Sequence, residues 1–179
     1  MVLPWHKNLG RGDFFARNWL VLANGIKMDA KLQNRFCSVT PNVISALGGQ
    51  QVFGARATRV DLLEEVERGL PVRAYEVVTE ALELTPVEED RLLQVSLRTR
   101  ARWKKRARLD AATSDRLVRL ARILALAVLV LESRQHAVAW LREPSPALGG
   151  RSPLAAVASD PGAEKVSNML YQMEHGVYA

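Results

Sequence analysis

A run of cations from Ser96 to Arg108 is the part of this sequence best suited to bind a ligand. It carries seven arginines and lysines and no carboxylate. Guanidinium and ammonium groups bind phosphate, so the run predicts a surface that contacts nucleic acid; a solvated helix face is the alternative. Residues 58–95, directly before it, carry four cations against ten acids. The net charge of +6 is therefore unevenly spread, which favours a localised anion-binding face.

Groups that commonly catalyse reactions or hold metals are few and scattered. His6, His136 and His175 lie far apart, and no two of them have metal-ligand spacing. The single cysteine, Cys37, has no histidine near it in sequence to activate it as a nucleophile. The glycines after Leu47 precede no lysine-serine pair of a phosphate-binding loop. We therefore predict that the protein is not an enzyme and uses no cofactor and no metal.

The same composition indicates where the protein works. One cysteine cannot form an internal disulfide, which fits a reducing cytoplasm. The apolar stretches at residues 19–23 and 123–131 are shorter than the roughly 18 residues that a membrane span needs. We expect a cytoplasmic protein that does not bind membranes.

Capping signals predict a series of short helices before the basic run. Thr58 offers an N-cap for a first helix, and Gly69 ends that helix. Pro71 opens a second helix, whose apolar residues continue at helical spacing to Leu84.

A third helix follows from the strongest capping signal in the chain. Thr85-Pro86-Val87-Glu88 is a capping box with proline at the first helical position, and it predicts a helix over 86–94. Only Val95 and Ser96 then separate this helix from the basic run. Two short helices joined so closely must cross steeply, so we predict a helix-turn-helix.

The basic run forms the second helix of this unit, and its helical projection separates two sides. Leu97 and Ala101 fall on the side that packs against the protein. Trp103 lies on a flank, where packing at the domain edge is favoured over stacking on a base. The opposite side is predicted to enter a DNA groove and consists of Arg98, Thr99, Arg102, Lys105 and Arg106.

A long helix beginning at Thr113 or Ser114 follows the basic run. It has one apolar face at first, and from Ile123 onward the opposite face is apolar too. A helix that is apolar on all sides must be buried all round. Either another part of the chain or a second subunit must cover it.

The remaining residues predict shorter helices separated by turns. A helix starts near Arg134 and ends before Pro144. A short helix is predicted over 153–158, a turn over 160–162, and a last helix that Gly176 closes. No strand pattern appears after residue 57, so the predicted fold class is all-α: a helix-turn-helix domain followed by a small helical domain.

Three parts of the chain follow from these patterns. Residues 1–57 show no sustained period and are predicted to be a basic, irregular or poorly ordered extension. A basic arm that reaches DNA is the alternative, and Met28 is a candidate for the true start. Residues 58–134 form the predicted DNA-binding domain, and residues 135–179 form the small helical domain.

Two stretches resemble a known family. The segment 97–105 together with Thr113 to Ile123 resembles the Xre-like helix-turn-helix of antitoxins in the Xre/MbcA/ParS group. The toxin-binding domain that ends those proteins is similar to residues 139–176. The order of Trp140-Leu141, Leu148-Gly149-Gly150, Ser152-Pro153-Leu154 and Gly176 carries this second likeness, which is the more specific of the two.

The resemblance implies a type II antitoxin in a toxin-antitoxin system. Its partner would be a RES-domain toxin that degrades NAD and is encoded by the adjacent gene. The antitoxin would occlude the toxin's active site and, as a homodimer within the complex, repress its own operon by binding an inverted repeat in promoter DNA.

The resemblance also places toxin-binding residues in the last third of the chain. Those carried over from the family are Trp140, Leu148, Gly149, Gly150, Pro153, Gly162, Val166, Leu170 and Gly176. Four further positions near the terminus, expected to be exposed, are Met173, His175, Val177 and Tyr178. For Trp140, Leu154 and Leu170 core packing is favoured over toxin contact, and the glycines can serve their turns alone, so the terminal positions are the better candidates for contact.

Two other functions fit the same patterns. One is a stand-alone helix-turn-helix transcription regulator whose C-terminal domain serves dimerisation or effector binding. The other is an antitoxin whose helix-turn-helix only helps to assemble the complex. A RES-type open reading frame beside the gene distinguishes the first of these from the antitoxin.

Overall fold

The computed structural model describes residues 39–103 and 107–174. No β-strand occurs among these residues, which confirms the predicted all-α class. Two 3₁₀ turns, at Gly54–Arg59 and Pro146–Leu148, join helices. The α-helices of the described residues are α1 (Val39–Ala46), α2 (Gly49–Phe53), α3 (Leu62–Arg68), α4 (Val72–Ala81), α5 (Pro86–Leu93), α6 (Leu97–Trp103), α7 (Ala111–Leu131), α8 (Arg134–Arg142), α9 (Pro153–Ala156) and α10 (Asp160–Glu174).

The long helix α7 lies at the centre of this arrangement. Helices α1, α8 and α10 pack along it, and α3, α4 and α5 contact it from the helix-turn-helix side. Every residue from Ile123 to Ala127 is buried, whereas the last apolar turn, 128–131, is half-buried. The chain itself therefore covers the part of α7 that is apolar on all sides.

An aspartate cap starts α7 two or three residues earlier than predicted. The Asp110 carboxylate accepts hydrogen bonds from the Thr113 amide at 2.9 Å and from its hydroxyl at 2.8 Å. Burial alone would raise the pKa of Asp110, but these hydrogen bonds outweigh it and hold that pKa below its ordinary value. Thr113 and Ser114, which we predicted to begin the helix, are buried in its first turn.

The prediction that residues 1–57 are irregular is wrong for the part that the structure describes. Residues 39–53 form α1 and α2, and α1 packs on α7. Val43, Ile44, Leu47 and Phe53 belong to the core. Helices of eight and five residues are too short to show a helical period, so only packing identifies them. Residues 1–38, with Met28 and the predicted basic arm, lie outside the described residues.

A close contact at Gly69 joins α3 and α4 to the loop that precedes α7. Gly69 ends α3 as predicted, at a φ of +82°. The amide of Leu109 donates to the carbonyl of Leu70 at 2.8 Å, and the amide of Val72 donates to the carbonyl of Ala107 at 3.1 Å. The Arg108 guanidinium also donates to the Gly69 carbonyl and pairs with the buried Glu65. This loop is therefore fastened by backbone as well as side-chain contacts.

We expect Gly69→Ala to destabilise the protein strongly. A Cβ at this position would lie 2.0 Å from the Leu109 carbonyl oxygen, and the backbone at φ +82° and ψ +129°, which residues other than glycine rarely adopt, adds about 1–3 kcal/mol of strain. Urea unfolding should show a loss of more than about 3 kcal/mol. Gly149→Ala is the matched control, because φ is +65° there and no atom lies within 4 Å of a Cβ. Equal losses for the two variants would contradict the clash.

The end of the described chain also differs from the prediction. Residues 160–162 form the first turn of α10 instead of a turn before it, since proline is tolerated in the first turn of a helix. A Cβ on Gly162 would lie 1.9 Å from the carbonyl oxygen of Ala156, so only glycine allows α10 to approach the end of α9 this closely. Helix α9 ends at Ala156, short of the predicted Ala158. The predicted closure at Gly176 lies outside the described residues.

Neither a membrane span nor a metal site is found in the parts of the chain that the structure covers. None of the helices there is long and apolar enough to cross a bilayer. No group of three or more histidine, cysteine, aspartate or glutamate side chains is arranged there to hold a metal ion.

Candidate functional sites

Helices α5 and α6 form the helix-turn-helix that the sequence predicted. The capping box that opens α5 is present, with the Thr85 amide donating to Glu88 Oε2 at 2.8 Å. Gln94 ends α5 in the left-handed region, at a φ of +54°. Buried Val95 anchors the turn, and the Ser96 hydroxyl accepts from the amide of Thr99 to begin α6.

Two inward side chains set the rotation of α6. The ring of Trp103 is buried edge-to-face against Tyr75 of α4, with 5.0 Å between ring centroids. This confirms packing as the role of the tryptophan in the structure. Arg100 points toward α5, where it pairs with Glu89 and, at 2.7 Å, with Asp90.

The ion pair between Arg100 and Glu89 lies largely out of water. Only 17% of the Arg100 side chain and 12% of the Glu89 side chain are exposed. Burial opposes the charge of Arg100, but Glu89, Tyr75 and Asp90 together outweigh it and raise the pKa of Arg100. Burial also raises the pKa of Tyr75, which donates its hydroxyl hydrogen to Glu89 at 2.7 Å. The cluster thus stays charged and joins α4, α5 and α6.

The free face of α6 is rotated relative to the predicted one. Arg98 and Arg102 are exposed, as the prediction requires. Ala101, which we predicted to pack inward, is exposed between them. Thr99 is half-buried, and its hydroxyl lies 3.1 Å from that of Ser96. The anchoring of Trp103 and Arg100 explains this rotation.

The rest of the predicted DNA-contact set falls outside the described residues. This holds for Lys105 and Arg106, as well as for the side chain of Leu97, which was predicted to pack inward. The described part of the surface therefore consists of two arginines that flank an alanine.

The predicted toxin-binding residues divide into three groups. Leu148, Pro153, Val166 and Leu170 are buried, with Val166 and Leu170 wholly inaccessible, so these side chains belong to the core of the domain and not to a contact surface. Gly149 and Gly150 are exposed, while Trp140, Gly162 and Met173 are half-buried. His175, Gly176, Val177 and Tyr178 lie outside the described residues.

The two glycines form the tip of a closed loop. The amide of Ser145 donates to the carbonyl of Arg151 at 3.0 Å, and the amide of Gly150 donates to the carbonyl of Ser145 at 3.0 Å. Gly149 and Gly150 have φ values of +65° and +78°, which glycine adopts without strain. Leu148, buried beneath them, anchors the loop. The loop thus presents exposed backbone on a fixed support.

A contact that the sequence did not suggest joins this region to the helix-turn-helix. Arg142, at the end of α8, donates to Glu88 at 3.1 Å and to the carbonyl of Leu82 at 2.9 Å. It also donates to the carbonyl of Glu83. Burial would raise the pKa of Glu88, but hydrogen bonds from Thr85 and the charge of Arg142 outweigh it and lower that pKa below 4.5.

We expect Glu88→Gln to cost up to about 1 kcal/mol of unfolding free energy near neutral pH, mainly through the lost charge of the Arg142 pair, because glutamine can still complete the capping box. Because the folded protein lowers the pKa of Glu88, this contribution is complete above the ordinary pKa of 4.5 and is lost as the pH falls through the folded value. Urea unfolding from pH 7 down to pH 3 should therefore show the stability gap between variant and wild type closing below about pH 4.5.

Glu64→Gln is the control for this experiment. Glu64 pairs with Arg68 on the same helix, but both side chains are more than half exposed, so its removal should cost little at any pH. A gap for Glu88→Gln that widens on acidification would contradict the assigned sign.

An α5–α6 unit with exposed arginines, joined to a second helical region with an exposed loop, defines a helix-turn-helix protein with an additional small helical domain. The family of the antitoxin Xre-like helix-turn-helix domain matches residues 61–122. The family of the antitoxin Xre/MbcA/ParS C-terminal toxin-binding domain matches residues 126–176. The chain belongs to the Xre/MbcA/ParS antitoxin family.

One curated relative supports this assignment. The protein named "Antitoxin Xre" of Pseudomonas putida is 35% identical over 100 residues, which are 55% of this chain. The matched stretch spans 62% of that protein's length. The two family matches meet inside α7, between residues 122 and 126, whereas we predicted a boundary after residue 134.

Proposed function

We propose that this protein is a non-enzymatic type II antitoxin that occludes the active site of a RES-domain, NAD-degrading toxin encoded by the adjacent gene. We further propose that it represses its own operon by binding promoter DNA. The presence of both family domains in one chain, in this order, is the observation that carries the proposal. A stand-alone regulator would need a domain for dimerisation or effector binding, but not one of a toxin-binding family.

Arg98 and Arg102 are the proposed DNA contacts in the described part of α6. Both are exposed, and they lie four positions apart on a helix, so they project from one face. Arginine binds phosphate oxygens and the edge of guanine in the major groove. A homodimer would present two such helices to an inverted repeat whose half-sites lie about 34–36 Å apart.

Toxin inhibition needs a shaped surface and no chemistry. The proposed surface centres on the loop tip at Gly149 and Gly150, with Trp140 and Met173 adding half-buried apolar area. Apolar side chains that exclude water at the centre of an interface supply most of its binding energy. Leu148, Val166 and Leu170 would support this surface from below.

We expect the double variant Arg98→Ala, Arg102→Ala to bind its promoter more weakly and with a shallower salt dependence. Each lost phosphate contact lowers the slope of log K against log salt by about 1, so the slope should fall by about 2. Fluorescence anisotropy over a salt series measures both quantities.

The matched control is the double variant Arg68→Ala, Arg73→Ala. Both arginines are exposed and pair with glutamates on their own helices, so the net charge changes equally without touching α6. If the two double variants showed the same slope, α6 would not be the DNA surface.

We expect Gly149→Asn and Gly150→Asn to weaken the complex with the adjacent RES-domain protein about tenfold each, or about 1.4 kcal/mol. Asparagine tolerates the left-handed conformation, and its side chain would project into open space. Folding and promoter binding should therefore stay unchanged. Calorimetric titration and NAD consumption by the toxin measure the effect.

Gly49→Asn, at a φ of +48° and also in open space, is the control far from this loop in sequence. Unchanged toxin affinity in the loop variants would exclude the loop from the interface. The absence of any complex with the wild-type protein would favour a stand-alone regulator.

A further inference from the structure

In the described parts of the chain, the pairs Arg119–Asp160 and Arg142–Glu88 connect the segment matched by the toxin-binding family to the segment matched by the helix-turn-helix family. Arg119 of α7 pairs with Asp160 of α10 at 2.7 Å, but the Asp160 side chain is 81% exposed. A pair so open to water contributes little. Arg142 of α8 and Glu88 of α5 form the other pair, and each of these side chains is 32% exposed.

The Arg142 guanidinium contacts two helix ends at once. Its two terminal nitrogens donate to the two carboxylate oxygens of Glu88, at 3.1 and 3.3 Å. One of them also donates to the carbonyls of Leu82 and Glu83, which follow the last residue of α4. Carbonyls at a helix end have no partner within the helix, so an arginine there satisfies an open acceptor. One side chain of α8 thus closes the end of α4 and the start of α5.

The N-terminal half of α5 also contacts α6, the second helix of the helix-turn-helix. Glu88 binds Arg142, and the next two residues, Glu89 and Asp90, bind Arg100 of α6. Both charged contacts therefore attach to one helical turn, which is rigid because its backbone is hydrogen-bonded and capped by Thr85. A shift of α8 would move this turn, and with it the support of α6.

We propose that Arg142 is a positioning residue that couples toxin binding at α8–α10 to DNA binding by α6. The inference rests on the proposed function. A toxin seated on Trp140 and the loop tip restrains α8, and the Arg142 contact passes this restraint to α5. With toxin bound, α5 and α6 then lose less conformational entropy when DNA binds, so toxin strengthens operator binding. By thermodynamic reciprocity, operator DNA strengthens toxin binding by the same factor.

The first test compares operator affinity in Arg142→Ala, Arg142→Lys and the control Arg134→Ala, which removes the same charge from the first turn of the same helix. We expect Arg142→Ala to weaken operator binding about fivefold with an unchanged salt slope, because no phosphate contact is lost. Lysine should restore only part of the affinity, since an ammonium cannot bridge the carboxylate and both carbonyls. Wild-type affinity in Arg142→Ala, measured well below its melting temperature, would overturn the positioning role.

The second test measures the coupling itself. The ratio of operator affinities with and without saturating toxin should exceed about five for the wild type, the lower end of typical couplings, and approach one for Arg142→Ala. Glu88→Gln should reduce the ratio similarly, and the double variant should lose no more than either single variant. A ratio unchanged by both substitutions would overturn the coupling.

Hydrogen exchange separates this inference from the proposed function. If the wild type bound neither toxin nor operator, the proposed function would fail, yet the contact could still be tested in the free protein. Arg142→Ala should then speed amide exchange across α5 and α6 relative to Arg134→Ala. Equal exchange in the two variants would overturn the inference by itself.

Discussion

The structure depends on the burial of one helix. From Ile123 to Ala127, α7 has no side that tolerates water, so its neighbours must enclose it completely. Burying each leucine or isoleucine in this stretch stabilises the fold by about 1.5–3 kcal/mol. A single neighbouring helix covers only one side of α7 and cannot bury them all. Helices α1, α8 and α10 supply the enclosure together with the helix-turn-helix region. Because both family segments include part of α7, the helix-turn-helix segment and the segment of the toxin-binding family share one core.

Charge has a second organising role in the helix-turn-helix region. From the sequence, the acidic side chains of this region are expected to face solvent. In the structure, Glu65 pairs with Arg108 and Glu89 pairs with Arg100. Glu88 pairs with Arg142 of α8. The arginines of α6 are divided accordingly, since Arg100 turns inward to α5 while its neighbours two positions away remain free. Two of the three arginines of α6 are thus available to an external anion, and the third holds the helix in place.

The predicted partner-binding set shows the same division between support and contact. The Leu-Gly-Gly and Ser-Pro-Leu motifs that carry the family resemblance place Leu148, Pro153 and Leu154 in the core. The two glycines of these motifs are exposed, as the tip of a loop that the apolar residues anchor. The two motifs therefore determine the shape of the loop, whereas they place few side chains on its surface that could contact a partner.

Local signals in the sequence determined the all-α class, the capping box at Thr85, the end of α3 at Gly69 and the helix-turn-helix itself, because capping and glycine conformations depend on a few adjacent residues. Tertiary structure decided the rest. The sequence pattern did not predict α1, which is stabilised by its packing on α7. The contacts of Trp103 and Arg100 determine the rotation of α6. Arg142 and Glu88 stand 54 positions apart. The hydrophobic period of the sequence cannot predict a contact over that separation. The ion pair forms only when the packing of the helices brings the two side chains together.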